Sequence, residues 1–141
     1  MRIVLDISVV VAALRTRSGV GNAVLRLVAQ RRVTILATPP LFLEYEEVLK
    51  RPEHRLAHGL TPEAVDEFLA ELAALIEPVE LHFQWRPQGP DPNDEMVLEA
   101  AINGLADALV TYNVADFAGI AERFRIAVMH PADLLKKVKT S

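Results

Sequence analysis

MRIVLDISVV, residues 1–10, sets the architecture of this chain. Ile3, Val4 and Leu5 form a short apolar run with the length and β-branched character of a buried strand. Asp6 follows at once, where such a strand would end. A carboxylate there is costly to bury unless a cation or hydrogen-bond donors meet it. In open α/β sheets, ligands gather at the carboxyl ends of the strands, which makes Asp6 the first candidate for chemistry. The plainer reading of the same residue is a cap on a helix expected to begin near Val9, because Asp is a preferred cap. The decapeptide alone leaves both open.

The chain has 141 residues, enough for one domain, residues 1–141, with a core of its own. Hydrophobic residues make up 51% and charged residues 24%, which places it among globular proteins. It contains no cysteine, which excludes disulfides, thiolate metal ligands and cysteine nucleophiles and agrees with a reducing cytoplasm. The sequence opens without a signal-peptide pattern, and no apolar run reaches the ~20 residues of a membrane span, so a cytoplasmic protein with no membrane partner is expected. A formal net charge of −4 argues against binding nucleic acid by bulk charge and is compatible with an acidic cluster that needs metal ions.

Outward from the first strand, a short helix is expected over residues 9–14 and a polar break over 15–19. Val20, Val24, Leu27 and Val28 mark one face of a helix through Gln30. GVGNAV, residues 19–24, resembles a dinucleotide loop only superficially, since it follows no strand directly and lacks the third glycine. A strand is expected over 33–37. Pro39 and Pro40 then enter a helix that Pro52 ends, with Leu41, Tyr45, Val48 and Leu49 at helical spacing. That helix carries Glu44, Glu46 and Glu47. Glu44 and Glu46 border opposite sides of the apolar stripe and Glu47 points outward, so periodicity favours Glu44 over Glu46 only weakly.

His54 and His58 are four residues apart, but no third ligand lies nearby, and a solvated loop or helix end is expected there. Thr61-Pro62-Glu63 opens an amphipathic helix with Val65, Phe68, Leu69, Leu72, Leu75 and Ile76 on its buried face. Residues 79–81 read as an edge strand and 84–92 as a loop. In DPNDEMVLEAA, residues 91–101, Asp91 can cap a helix with Pro92 in its first turn and Asp94 reaching back. The same stretch puts Asp91, Asp94 and Glu95 at one helix start, where they repel each other without a cation. Strands are expected over 106–111 and 126–129, and a helix over 131–138 with a basic end at Lys136, Lys137 and Lys139. Tyr112, Asn113 and Asp116 directly follow the first of these strands.

Alternating strands and helices predict a three-layer α/β/α sandwich with a mainly parallel sheet of about four to five strands. Such a sheet could bring Asp6, Glu44, Asp94 and the Asn113/Asp116 region to one edge. Hard oxygen ligands without histidine or thiol suit Mg²⁺ or Mn²⁺. These ions hold phosphates, and a pair of them can activate water for phosphodiester hydrolysis.

The segments LDISV (5–9), LEYEEVLKRP (43–52), DPNDEMVLEAA (91–101) and ADALVTYNVADF (106–117), in that order and spacing, resemble the PIN domain. The likeness is strongest to its VapC-like branch of toxin components of toxin–antitoxin systems, and it runs over residues 2–135. The resemblance implies a parallel α/β/α sheet and a Mg²⁺- or Mn²⁺-dependent ribonuclease. It implies Asp6, Glu44, Asp94 and Asp116 as catalytic and metal-binding acids, with Glu95 the alternative to Asp94 and with Asp91 and Asn113 as further metal ligands. Ser8 and Arg15, with Arg17 and the basic tail, are the candidate contacts to RNA. An antitoxin protein is the implied partner, and exposed apolar residues such as Phe42 and Leu43 would permit a homodimer.

Three positions depart from the family pattern. Ile7 stands where the family has a hydroxyl, Ser8 where it has an amide, and Asn113 where many relatives have an acid. They keep open a second reading, a catalytically weakened domain that acts by binding RNA or a protein partner. A phosphotransfer enzyme with Asp6 as nucleophile would need a second aspartate at position 8, which is Ser8.

Overall fold

The structure, a computed structural model, describes residues 1–82 and 92–140. Asp91 and the loop expected over 84–92, apart from Pro92, lie outside them. β1 (Arg2–Leu5) leads into α1 (Ile7–Arg15) and α2 (Val20–Ala29). β2 (Thr34–Ala37) is followed by α3 (Pro39–Leu49), α4 (Pro52–His58) and α5 (Pro62–Leu75). Next come β3 (Ile76–Pro78), α6 (Pro92–Asn103), β4 (Ala108–Val110), α7 (Val114–Arg123), β5 (Ala127–Met129) and α8 (Pro131–Thr140). Among the described residues the strands form one five-stranded sheet in the order β3-β2-β1-β4-β5, with every neighbouring pair parallel.

Ile3, Val4 and Leu5 are all fully buried. Successive strand residues point to opposite faces, so β1 is covered on both sides, as a central parallel strand must be. The expected three-layer α/β/α sandwich is therefore the fold, with Ile35, Leu36, Leu98, Leu109 and Leu134 among the residues of its core. Among the described residues, no helix is long and apolar enough to cross a membrane.

Two expectations are corrected. The edge strand lies at Ile76–Pro78, not at 79–81. By its 3.6-residue spacing Ile76 belongs to the preceding helix, but its backbone is already extended (φ −73, ψ 132) and it pairs with Ile35. Pro78 is tolerated because β3 is at the sheet's edge. Residues 114–123, to which the sequence assigned no element, form α7. Phe117 and Ala121 are buried, and Ile120 and Phe124 pack against the core beside them; this helical spacing is present in the sequence but is masked by the polar and acidic residues that follow the strand.

Two suggestive spacings have structural explanations. A Cβ at Gly21 would lie 3.0 Å from the Val9 carbonyl oxygen and 3.1 Å from the Ala13 nitrogen, so this glycine lets α2 pack closely on α1. His58 accepts the Leu60 N–H at Nδ1 (3.0 Å), which leaves Nε2 to donate to the Leu49 carbonyl at 3.1 Å. The ring thus ties the end of α4 to the end of α3.

Three helices return to the sheet through the same turn. After α2, α6 and α7 the chain passes through a left-handed residue: Arg31 (φ 58), Leu105 (φ 50) and Arg125 (φ 57). Each donates its N–H three residues back, to Val28, Ile102 and Glu122, and the next residue donates five back, to Leu27, Ala101 and Ala121. These are Schellman closures, at a position where glycine is the favoured residue.

Candidate active site at the carboxyl edge of the sheet

From β1 the chain builds outward to β2 and β3, then crosses back to β4 and β5 on the other side. The order reverses between β1 and β4, and such a switch point leaves a crevice at the carboxyl ends of the two strands. Leu5 pairs with Val110, and the Asp6 N–H continues the ladder to the Val110 carbonyl at 2.9 Å. Asp6 and Thr111, the first residues beyond the two strands, therefore meet at that crevice.

Asp6 is 5% exposed and caps α1 from the end of β1. Its Oδ1 accepts the Ile7 N–H at 2.8 Å as the N-cap of α1. Its Oδ2 accepts the Ser8 hydroxyl at 2.7 Å and the Thr111 hydroxyl at 2.8 Å. A carboxylate offers about four lone-pair directions, so Oδ2 is saturated and one direction remains on Oδ1. Thr111 is fully buried, and its hydroxyl oxygen also accepts the Asn113 N–H at 2.9 Å, which turns the hydroxyl proton towards Asp6. The Ser8 oxygen accepts the Tyr112 N–H at a long 3.4 Å. Thr111 thus supplies Asp6 with a hydroxyl, a group that Ile7 cannot offer.

Glu44 stands on α3. Thr38 caps this helix, and Leu41, Tyr45, Val48 and Leu49 bury its apolar face. Glu44 lies on the buried side with 9% exposure, whereas Glu46 is at the surface, paired with Lys50 at 3.1 Å. The Arg51 guanidinium stands 3.7 Å from Glu44 Oε1 and 3.3 Å from Glu47 Oε1. Tyr45, beside Glu44, is fully buried and donates its phenol proton to the carbonyl of Leu5, the residue before Asp6. That bond pins the middle of α3 to the end of β1. Burial, and secondarily the negative charge of Asp6, push the Tyr45 phenol above the usual tyrosine range.

The remaining acids stand at helix starts. Asp94 and Glu95 are half-buried in the first turn of α6, and Asp116 is exposed in the first turn of α7. Asn113 is exposed as the N-cap of α7, with no hydrogen bond from its side chain to the helix. Among the described residues, no three acidic or histidine side chains come together closely enough to hold a metal ion. The donors fit a hard divalent cation in kind, being carboxylate oxygens with one free direction on the buried Asp6.

The expected RNA contacts divide. Ser8 is in the Asp6 network, but Arg15 lies at the far end of α1, about 12 Å along the helix axis from Ile7. Arg17 is exposed just beyond it. The basic tail is at the opposite edge of the sheet, where Lys137 lines a cavity with Met1, Arg32 and Asp107. Helices that connect parallel strands run antiparallel to them, so the last turn of α8 faces the strands' amino ends. The sequence did not announce Thr111, Tyr45 or Arg51 as members of the site. Thr111 alone left a signal, a hydroxyl residue immediately after an apolar strand.

The PIN-domain family model matches residues 2–115. No curated protein is significantly similar to the chain in sequence. The fold is similar to the crystal structure of VapBC2 from Rickettsia felis bound to a DNA fragment from their promoter. That match has a TM-score of 0.62 and 16% identity, over 92% of this chain and 98% of that one. It is also similar to the structure of VapBC-1 from nontypeable Haemophilus influenzae, with a TM-score of 0.60 and 16% identity over 94% of this chain and 99% of that one.

Proposed function

The chain belongs to the PIN-domain family, and on that premise we propose that it is a metal-dependent ribonuclease that hydrolyses RNA phosphodiester bonds as the toxin of a toxin–antitoxin pair. The observation that carries this reading is Asp6, a buried carboxylate at the switch point, held by three neutral donors and left with one free lone-pair direction. Asp6, Glu44, Asp94 and Asp116 would hold Mg²⁺ or Mn²⁺, with Glu95 and Asn113 beside them. The ion would lower the pKa of a bound water and stabilise the departing oxygen.

The chain's own residues have defined tasks in this proposal. Ser8 and Thr111 fix the Asp6 carboxylate so that only Oδ1 turns outward. Tyr45 holds α3 against β1 and so sets where Glu44 stands. Glu44 orients the attacking water, and its burial keeps bulk water from competing. The partners proposed are RNA, an antitoxin protein and a second copy of the chain, for which Leu43, 61% exposed on α3, offers an apolar contact.

The test compares RNA cleavage by the wild-type and Asp6→Asn proteins, with and without EDTA. Asn caps a helix as well as Asp does, so α1 is preserved. Cleavage that Asp6→Asn or chelation abolishes is the expected result. Equal cleavage by both proteins, or indifference to EDTA, refutes the proposal.

One observation favours the weakened, binding-only alternative: no three acids converge among the described residues. Calorimetric titration with Mn²⁺ separates the two readings, because a nuclease must bind the ion and the alternative predicts no binding near millimolar concentration.

A further inference from the structure

Parallel pairing places β5 beside β4, and the Thr111 N–H extends that ladder to the Met129 carbonyl at 3.0 Å. The residues that leave these two strands, Tyr112 and His130, are therefore neighbours at the carboxyl edge. Their rings meet edge to face, with centroids 5.0 Å apart and planes at 89°. Both side chains are half-buried, and Tyr112 packs part of its surface against the hydrophobic core, so only the outward part of the pair can meet a ligand. In an edge-to-face pair, the ring that presents its edge keeps both faces clear of its partner, and the other ring keeps one. Two bonds tie the pair to the site: the Tyr112 N–H reaches the Ser8 hydroxyl, which donates to Asp6. His130 Nδ1 accepts the Ala132 N–H at 3.0 Å, so the neutral ring carries its proton on Nε2 as a free-pointing donor.

We propose that Tyr112 and His130 form a nucleobase-stacking subsite beside the Asp6 crevice, which holds one base at a fixed place relative to Asp6. The proposal rests on the ribonuclease reading. An aromatic face accepts any base by stacking, and such faces recognise RNA where its bases are splayed out, as they are not inside a duplex. The backbone link to Ser8 fixes the distance between the stacked base and Asp6, so the platform sets which phosphate is presented for cleavage. The His130 Nε2–H adds one donor for a base edge.

The test is binding, read by fluorescence anisotropy with Ca²⁺ in place of Mg²⁺. The ligands are a short single-stranded oligoribonucleotide and a set of analogues with one abasic position moved along it. In the wild-type protein, one abasic position is expected to weaken binding by about 5-fold or more. Tyr112→Leu should bind the intact strand more weakly by a similar factor and lose the abasic effect, while Tyr112→Phe should retain both. The abasic scan on the wild-type protein keeps the test independent of whether Tyr112→Leu folds. A wild-type protein that cleaves RNA in Mg²⁺ but is indifferent to abasic positions overturns the subsite alone. So does a Tyr112→Leu protein that discriminates as wild type does. A protein that neither binds nor cleaves RNA overturns the subsite and the ribonuclease reading together.

Discussion

Replacing Thr111 with valine keeps the shape of a fully buried side chain and deletes one hydroxyl. Two bonds go with it, the 2.8 Å donation to Asp6 Oδ2 and the 2.9 Å acceptance from the Asn113 N–H. A hydrogen bond to a charged group contributes about 1.5–3 kcal/mol. The Asn113 N–H, whose bond is part-buried, loses a neutral acceptor and costs less than the bond to the carboxylate. Asp6 keeps Ile7 and Ser8 but is left with an unfilled acceptor in a buried position. The expected loss is about 2–3 kcal/mol, which for a chain of this size lowers Tm by roughly 6–12 °C. Urea unfolding at neutral pH should show a lower midpoint with an unchanged slope, and Thr111→Ser should lose only about 1 kcal/mol for its missing methyl group. The decisive measurement is the double-mutant cycle with Asp6→Asn. If the bond to the carboxylate is responsible, part of the Thr111→Val loss should vanish in the Asn background. A Thr111→Val protein within ~0.5 kcal/mol of wild type refutes the assignment, as does an equal loss in both backgrounds.

Two further outcomes follow from the same structure. The folded chain keeps the Tyr45 proton at pH values where the unfolded chain releases it, so above about pH 10 the unfolded state binds fewer protons and stability falls as pH rises. The Tyr45 contribution is fully present below that pH and is lost at about 1.4 kcal/mol per pH unit above it. Tyr45→Phe should flatten the alkaline limb by this amount in urea titrations across that range, and identical limbs would sink the assignment. Leu105 is 84% exposed and left-handed, so Leu105→Gly removes backbone strain without opening the core. The gain of about 1–2 kcal/mol in the folded state, less about 0.5–1 for the freer unfolded chain, predicts a net stabilisation of roughly 0.5–1 kcal/mol; a lower urea midpoint would contradict it.

The strand-and-acid unit at residues 1–10 was legible because both parts are local: an apolar run and the charge that ends it. The sequence left cap and site as alternatives for Asp6; in the structure Oδ1 caps α1 while Oδ2 gathers the Ser8 and Thr111 hydroxyls. Glu44 and Glu46 were nearly indistinguishable by periodicity because each flanks the apolar stripe. Burial and the Lys50 pair separate them. Thr111 was hidden for another reason: its partner Asp6 is 105 residues away, and no local pattern encodes such a contact. The basic tail could not be placed from the sequence, because charge alone does not tell which end of a helix faces which edge of the sheet. Its position follows only once the strands are known to be parallel.

The left-handed returns at Arg31, Leu105 and Arg125 each deliver a helix to the start of a strand, while Asp6 and Thr111 stand where strands finish. Strained backbone is commonly gathered around a protein's chemistry, where relieving it costs function. Here it sits on the far rim. Glycines at all three returns would toughen the scaffold from the rim opposite Asp6 and Thr111, so this domain offers a route to greater robustness that leaves the carboxyl edge of the sheet unaltered.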